Sequence, residues 1–514
     1  MNAFRERVPT FDHVNVAAAI AIASGAALRL WMLFTSVGPY DSDEAVVGLM
    51  ARRILDGELF TFYWGQPYGS SHEAFAVAAL KGVGVPTRVA MELVPAALAI
   101  AAALLVWRIG VRLLGRTAGV LGAALFWTTS TAFVWHSTKE RGFYGAMLVA
   151  GLGLLLLAIR LVDQVTWRDA ALFGFVAGTG WWASPQVVYL AAPTGLWLLW
   201  EAVRARNLAF VKVAPVTAAA AAVGAAPWLF TNARTGWDSL RVATSVPDTT
   251  FGYRFGLFRV QAFPAALGAK LPVRGDWVGG VAGKAGFVVA LAIIVAVLLR
   301  LPSRATPLRL GVVLYPLIFA AFPTSFYVAE PRYLSLLWPL VTLLFGFAIA
   351  WLPWGALRVA ATASLAAITV VSSVVFVDYA SETLGIVDVS PGEIAPVLRE
   401  LRASRTDNLF ADYWVANRIT LETEEEIVAA PLQVVRYEPY ERRVRADDNP
   451  PYVLFSDTCY YRELRRFLDE NLIEYTATPA GRWTIVQPAT KVLPDQALVD
   501  WASVRGDGPH LHIC

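Results

Sequence analysis

Apolar runs of about 20 residues, the length that crosses a bilayer as a helix, recur along this chain. They fall near residues 14–36, 86–106, 118–135, 143–162, 169–183, 185–200, 212–230, 281–299, 309–328, 333–351 and 355–377. Read as spans, they predict a polytopic α-helical membrane protein with about eleven transmembrane helices. The two runs that meet at Ser184-Pro185 read equally as two spans or as one long segment kinked by the proline, which lacks a backbone donor. After about residue 378 no window is long and apolar enough to span. Charge becomes frequent there (Glu424, Glu425, Glu426, Arg442, Arg443, Arg445). Short β-rich runs such as Tyr452–Phe455 and Trp483–Val486 alternate with helical stretches such as Tyr461–Asn471. The expected organisation is a membrane domain, residues 1–377, followed by an α/β domain, residues 378–514.

Arginine placement gives the orientation. Arg108, Arg112 and Arg116 share one short loop, Arg204, Arg206 and Lys212 a second, and Arg300, Arg304 and Arg309 a third. With this set of spans all three lie on the side of the N-terminus, which is therefore read as cytoplasmic. The first span follows Arg5 and Arg7 and reads as a retained helix rather than a cleaved leader. The opposite side receives a first outer loop, 37–85, a second large loop, 231–280, and the α/β domain.

Composition narrows the class. The 514 residues are 57% hydrophobic and 16% charged, against about 25% charged in soluble domains. Forty-three Lys and Arg against 40 Asp and Glu leave a net charge of +3, too balanced for a nucleic-acid binder. Two cysteines, Cys459 and Cys514, cannot build a cysteine zinc site or a disulfide framework.

Ionisable groups are sparse in the centres of the spans and gather at their outer ends. That argues against a carrier with midplane carboxylates and for chemistry at the outer interface. The densest cluster follows the first span: Gly38-Pro39-Tyr40-Asp41-Ser42-Asp43-Glu44. Three carboxylates this close repel one another unless cations, donors or a proton intervene, and one held ionised beside a hydroxyl can act as a general base. The same residues also read as a solvated helix start, with Ser42 or Asp43 as N-cap. Val46–Leu55 is amphipathic and too short to span, so it should lie on the membrane surface. Phe62-Tyr63-Trp64-Gly65-Gln66-Pro67-Tyr68-Gly69-Ser70-Ser71-His72-Glu73 follows; its aromatics and glycines suit a sugar or headgroup platform and equally an interfacial belt.

The stretch Tyr40–Ala45, Ala51-Arg52, Gly57-Glu58 and Tyr63–Gly69 resembles the first outer loop of GT-C glycosyltransferases, in the bacterial branch related to protein O-mannosyltransferases and lipid A aminoarabinose transferases. Thr138-Lys139-Glu140-Arg141-Gly142, Gly180–Gln186, Glu330-Pro331-Arg332-Tyr333, and Asp412–Arg418 with Arg436-Tyr437 resemble further segments of that branch. The resemblance implies transfer of a sugar from a polyprenyl-phosphate carrier to a hydroxyl acceptor on the outer face of a plasma membrane, with inversion. It puts the catalytic base on Asp43, with Glu44 beside it. Substrate-binding candidates are Asp41, Arg29, Trp64, Tyr68, His72, Glu73, Lys139, Glu140, Arg141, Glu330, Arg332 and Tyr333. Of these, Arg332 with Lys139 or Arg141 is expected to hold the lipid phosphate, while Arg29 is expected to pair with an acid such as Glu92 or Asp41. Asp412, Tyr413 and Trp414 read either as an acceptor entrance or as domain core. The implied partners are the lipid-linked donor, a lipid, glycan or protein acceptor, and membrane lipids. No metal ligand is assigned, although Asp41-x-Asp43 can be drawn as an oxygen site for Mg²⁺ or Mn²⁺, a divalent metal that some GT-C enzymes use. A lipid or polymer transporter and a non-catalytic envelope-binding scaffold are the alternatives from other classes.

Overall fold

The computed structural model describes residues 13–241, 250–271, 275–322, 331–382, 391–456 and 458–498. Over these residues every apolar run coincides with a helix or a broken helix. Six helices are by themselves long and apolar enough to cross a membrane: His13–Leu33, Thr87–Leu114, Tyr144–Asp163, Val281–Arg300, Ser303–Ala321 and Gly355–Ser381. Ala209–Gly224 and Ala226–Thr235 form a bent pair, 65° apart, that passes the same test when joined. The chain is a multi-pass membrane protein. At Ser184-Pro185 the two readings resolve into two helices, Trp167–Ala183 and Val188–Arg204, separated by a 3₁₀ turn at Pro185–Val187. The run 118–135 departs from expectation: its helix, Arg116–Thr128, stops and resumes as the six-residue Thr131–His136.

With lipid outside as apolar as the side chains, helices associate through close backbone approach rather than the hydrophobic effect. Gly174 and Gly178, one turn apart, show how close that approach is. A Cβ at either would sit 2.0 Å from the carbonyl oxygen of Thr217 or Ala221 on the helix Ala209–Gly224. Two alanines there would push the helices apart.

The segment after the first span forms the helices Ser42–Leu55 and His72–Gly82. Ser42–Leu55 does not lie on a surface as expected, because Ala45–Ala51 are buried under the C-terminal region. Its N-cap is Asp41, not Ser42 or Asp43. Its carboxylate accepts from the Glu44 amide at 3.0 Å, and the Glu44 carboxylate accepts from the Asp41 amide at 3.0 Å, a reciprocal capping box. The C-terminal region builds a five-stranded sheet from β1 (Asn408–Ala411), β2 (Val428–Pro431), β3 (Tyr452–Phe455), β4 (Tyr475–Ala480) and β5 (Trp483–Pro488). Its order is β2-β1-β3-β5-β4; β1 runs parallel to β2 and β3, and the β4–β5 hairpin adds antiparallel to β3. In such sheets functional groups gather outside the carboxyl ends of strands where the connections diverge. Here that point lies after β1, where Asp412 and the helix Tyr413–Glu422 begin, with the loop after β2 beside it.

The sheet domain and the loop after the first span share one apolar core. Val46, Leu49 and Met50 of the helix Ser42–Leu55 belong to the same buried cluster as Phe410, Val428, Tyr440 and Tyr452. Gly48 leaves room for the approach, since a Cβ there would lie 2.7 Å from Leu421 and 2.8 Å from the Met91 sulfur. Arg52 and Arg53 add ion pairs to Glu424 and Glu425 across the seam. Surface pairs of this sort each contribute only a few tenths of a kcal/mol to about 1 kcal/mol, so burial of the apolar seam dominates.

Candidate active site

The acidic turn after the first span meets three cations, and its three carboxylates fare differently. Asp41 and Glu44 are buried, with side chains 0% and 4% exposed, whereas Asp43 retains 18%. Asp41 Oδ2 lies 2.8 Å from Arg141 Nη1, and Glu44 Oε2 lies 3.2 Å from Lys139 Nζ. Glu44 Oε1 also accepts from the Glu140 amide at 3.2 Å. Asp43 Oδ1 accepts from the Tyr413 hydroxyl and, at 3.2 Å, from Arg436 Nη2. Its Oδ2 is 4.0 Å from Arg141. Asp43 is thus the most exposed of the three carboxylates, and Oδ2 its less encumbered oxygen.

The charges follow from this geometry. Burial pushes the Asp43 carboxyl upward, but Arg436, Arg141 and the Tyr413 hydroxyl together outweigh it and hold the group below the usual carboxylate range. Burial wins at Asp41, which is pushed up to about 6, with Glu44 and Asp43 adding to the rise and Arg141 opposing it. Glu73 and Glu140 are hydrogen-bonded to each other; burial raises both, Glu140 well above the ordinary range. Such a pair holds one proton between two carboxyls. Glu73 Oε1 accepts from the Ala146 amide at 2.8 Å, which fixes it at the start of the helix Tyr144–Asp163.

Beside this cluster lies a cavity that is partly open to the outside. Its walls are mostly apolar (Pro95, Ala99, Phe133, Leu148, Leu334, Trp338), and polar groups converge on part of it: Glu73, His136, Lys139, Arg141 and Arg332. Arg332 lies over the rings of Tyr144 and Tyr333, 5.5 and 5.4 Å from their centroids. Arg141 faces both the cavity and the acidic turn, so it links the two. An apolar chamber with guanidinium groups in its wall suits an amphipathic ligand with an anionic head.

Several predicted binding residues take other places. Arg29 pairs with no acid among the described residues: its guanidinium donates to Ser137 Oγ (2.9 Å) and to the carbonyls of Gly25 and Trp127 (2.8 Å each), and it stacks 3.8 Å from the Trp127 ring. Glu92 pairs with Arg88 instead. Trp64 is not an open platform, because its face is stacked on Tyr437 at 4.1 Å within the shared core. Tyr68 sets its ring edge-on to Phe143. His72 bonds to Ser70 Oγ and packs on Trp182; burial pushes it down to about 4. Lys139 reaches the cavity wall, but its ammonium is shared by Glu44 and the Pro39 carbonyl at 2.7 Å. The Tyr333 carbonyl accepts from Tyr315, and its ring is buried. Glu330 lies outside the described residues. Asp412 belongs to the domain interior, accepting from Gln433 at 3.0 Å and from the Phe455 amide at 2.6 Å.

Two residues of the sheet domain join the site: Tyr413, just after β1, which the sequence left between acceptor entrance and domain core, and Arg436, in the loop after β2, which the sequence placed only in a family-like segment and not at the base. Arg436 donates to Tyr413 Oη (2.8 Å), Gln66 Oε1 (3.3 Å) and Asp43. Gly65 admits this loop. It has φ +71°, and a Cβ there would lie 2.7 Å from the Val435 carbonyl oxygen and 2.8 Å from Arg436 Cα. Gly65→Val is therefore expected to displace Arg436 and cut turnover about tenfold or more, since left-handed strain alone costs about 1–3 kcal/mol. Steady-state kinetics beside a thermal melt check this; unchanged kinetics would show that Arg436 is dispensable.

Asp41 and Asp43 do not fit a divalent cation. Their oxygens face Arg141, Arg436 and Tyr413, which a cation would have to displace, and among the described residues no three His, Cys, Asp or Glu side chains cluster as ligands.

Solved structures share this architecture along nearly the whole chain. ArnT from Cupriavidus metallidurans, in the apo state, matches over 92% of this chain and 97% of its own, with TM-score 0.59 and 11% identity. The same protein bound to undecaprenyl phosphate matches to the same extent at 12% identity. The Archaeoglobus fulgidus oligosaccharyltransferase in the apo form matches over 88% of this chain and 71% of its own, with TM-score 0.50 and 12% identity. No protein-family model and no curated protein matches the sequence. The fold of this chain is the one these ArnT and oligosaccharyltransferase structures share.

Proposed function

On this GT-C fold we propose an integral membrane glycosyltransferase that moves a sugar from a polyprenyl-phosphate carrier to a hydroxyl acceptor. The reaction takes place on the extracytoplasmic face of a plasma membrane and inverts the anomeric centre. The observation that carries the reading is the juxtaposition at Arg141: a carboxylate kept ionised and partly open on one side, and an apolar cavity with an anion-binding wall on the other. The undecaprenyl phosphate held by ArnT is an amphipathic anion of the kind such a cavity suits.

The chemistry then assigns itself to atoms. The acceptor oxygen attacks the anomeric carbon while Asp43 Oδ2 takes its proton. The bond from that carbon to the phosphate oxygen breaks, and the phosphate leaves with the electron pair toward Arg332 and Arg141. Phosphate is already a good leaving group, so positioning, a base and fixed positive charge are the needed contributions. Tyr413 and Arg436 hold Asp43 ionised and turned so that Oδ2 faces outward. Glu44 and Lys139 neutralise each other and fix the turn. The test is release of free polyprenyl phosphate from lipid-linked sugars by the purified protein in nanodiscs.

A further inference from the structure

His136 ends the short helix Thr131–His136 and lines the cavity between Arg141 and Arg332. Both ring nitrogens are buried, and neither has a hydrogen-bond partner among the described residues. Burying a polar group without a partner is costly, so such groups call for an explanation. The ring's other side is packed on Trp135, 4.7 Å between centroids, which fixes the imidazole while leaving its nitrogens unanswered by protein.

The charged and titratable groups facing it come from every wall of the chamber. Lys139 and Arg141 follow on the same loop, Arg332 stands on the turn Pro331–Leu334, Glu73 on the helix His72–Gly82, and Tyr144 on the helix Tyr144–Asp163. Burial and the positive charges of Arg141, Arg332 and Lys139 hold the imidazole neutral well below its ordinary range. An anion entering between the two arginines reverses that balance, because it offsets the positive charge and offers an acceptor to a ring N–H.

We propose that His136 is a third phosphate-binding residue, which takes up a proton from solvent as the phosphate of a polyprenyl-phosphate ligand enters the cavity and donates from its imidazolium to a phosphate oxygen. The inference rests on the reading of the cavity as the donor site and adds to it a residue and a pH dependence. Its sign follows by linkage. The bound state holds one more proton than the free state, so affinity rises as pH falls below the bound-state value of the ring and levels off below its free-state value.

The probe is a polyprenyl methyl phosphate, a diester with one negative charge across the range, so that its own titration does not enter. Binding to the full chain in nanodiscs is measured between pH 6 and pH 8 for wild type, His136→Gln and Glu73→Gln. Wild type is expected to tighten about tenfold toward pH 6, the most that uptake of one proton gives per unit. His136→Gln, which keeps a hydrogen-bond donor but cannot titrate, should bind at pH 8 within a few-fold of wild type and show little tightening. Glu73→Gln should keep the wild-type pH slope. If wild type and His136→Gln tighten alike, or if wild type binds with no pH dependence, His136 is not the proton acceptor and the inference fails while the donor site stands. If wild type binds no polyprenyl phosphate at either pH, the donor-site reading itself fails, and this inference with it.

Discussion

Asp43→Asn is expected to lower turnover by about 10²–10⁴-fold, the usual contribution of a positioned general base, while donor affinity stays within a few-fold of wild type. Asparagine keeps the shape and an acceptor oxygen for Tyr413 and Arg436, and Asp43 does not line the lipid cavity. The change does leave Arg436 and Arg141 with less counter-charge in a buried place, which costs stability, so a thermal melt belongs beside the kinetics. In wild type two acid limbs are expected. A base must be ionised to work, and Asp43 is held below the usual carboxylate range by Arg436, Arg141 and Tyr413 against its burial. The final loss of activity therefore comes only in strong acid. A partial fall near pH 6 precedes it, as Asp41 protonates and loosens Arg141. Retained turnover in Asp43→Asn would remove the base from the mechanism.

Arg332→Met should be the second most damaging single change, lowering kcat/KM by about 30- to 1,000-fold. That corresponds to about 2–4 kcal/mol for truncating a charged hydrogen-bonding partner in a desolvated site. The guanidinium sits in the cavity wall between the rings of Tyr144 and Tyr333. Methionine keeps its length and apolar bulk, so loss of the charge is what the variant reports. Arg332→Lys should recover part of the loss, because lysine supplies the charge without the planar fork that takes two phosphate oxygens. The comparison is made with a lipid-linked sugar as variable substrate. An unchanged kcat/KM in Arg332→Met would mean that the phosphate is bound elsewhere.

The fold was legible in the sequence because a bilayer imposes one simple rule, about 20 apolar residues per span; among the described residues six helices, and a bent seventh pair, meet it. The acidic turn was legible for a related reason: carboxylates directly after a span are conspicuous against apolar surroundings. Contacts closed only by tertiary structure were less so. Tyr413 and Arg436 stand 370 and 393 residues from Asp43 in sequence; their segments stood out by resemblance, but only the folded chain shows that their side chains meet that carboxylate. Trp64 misled because an aromatic among glycines looks the same whether its face is open or stacked on Tyr437. Arg29 misled because its guanidinium takes backbone carbonyls as partners, and these are invisible in a pattern of side chains. His136 was hidden at the end of a run that reads as a continuous span and in fact breaks after Thr128.

Release of free polyprenyl phosphate from a panel of polyprenyl-phosphate sugars tests the central claim most directly. Purified protein in nanodiscs is supplied with a membrane extract as the source of acceptor. The account predicts turnover with at least one donor, the sugar appearing on an acceptor hydroxyl in the inverted configuration, and loss of that turnover in Asp43→Asn. Failure to bind any donor, or transfer that proceeds equally well in Asp43→Asn, would contradict it.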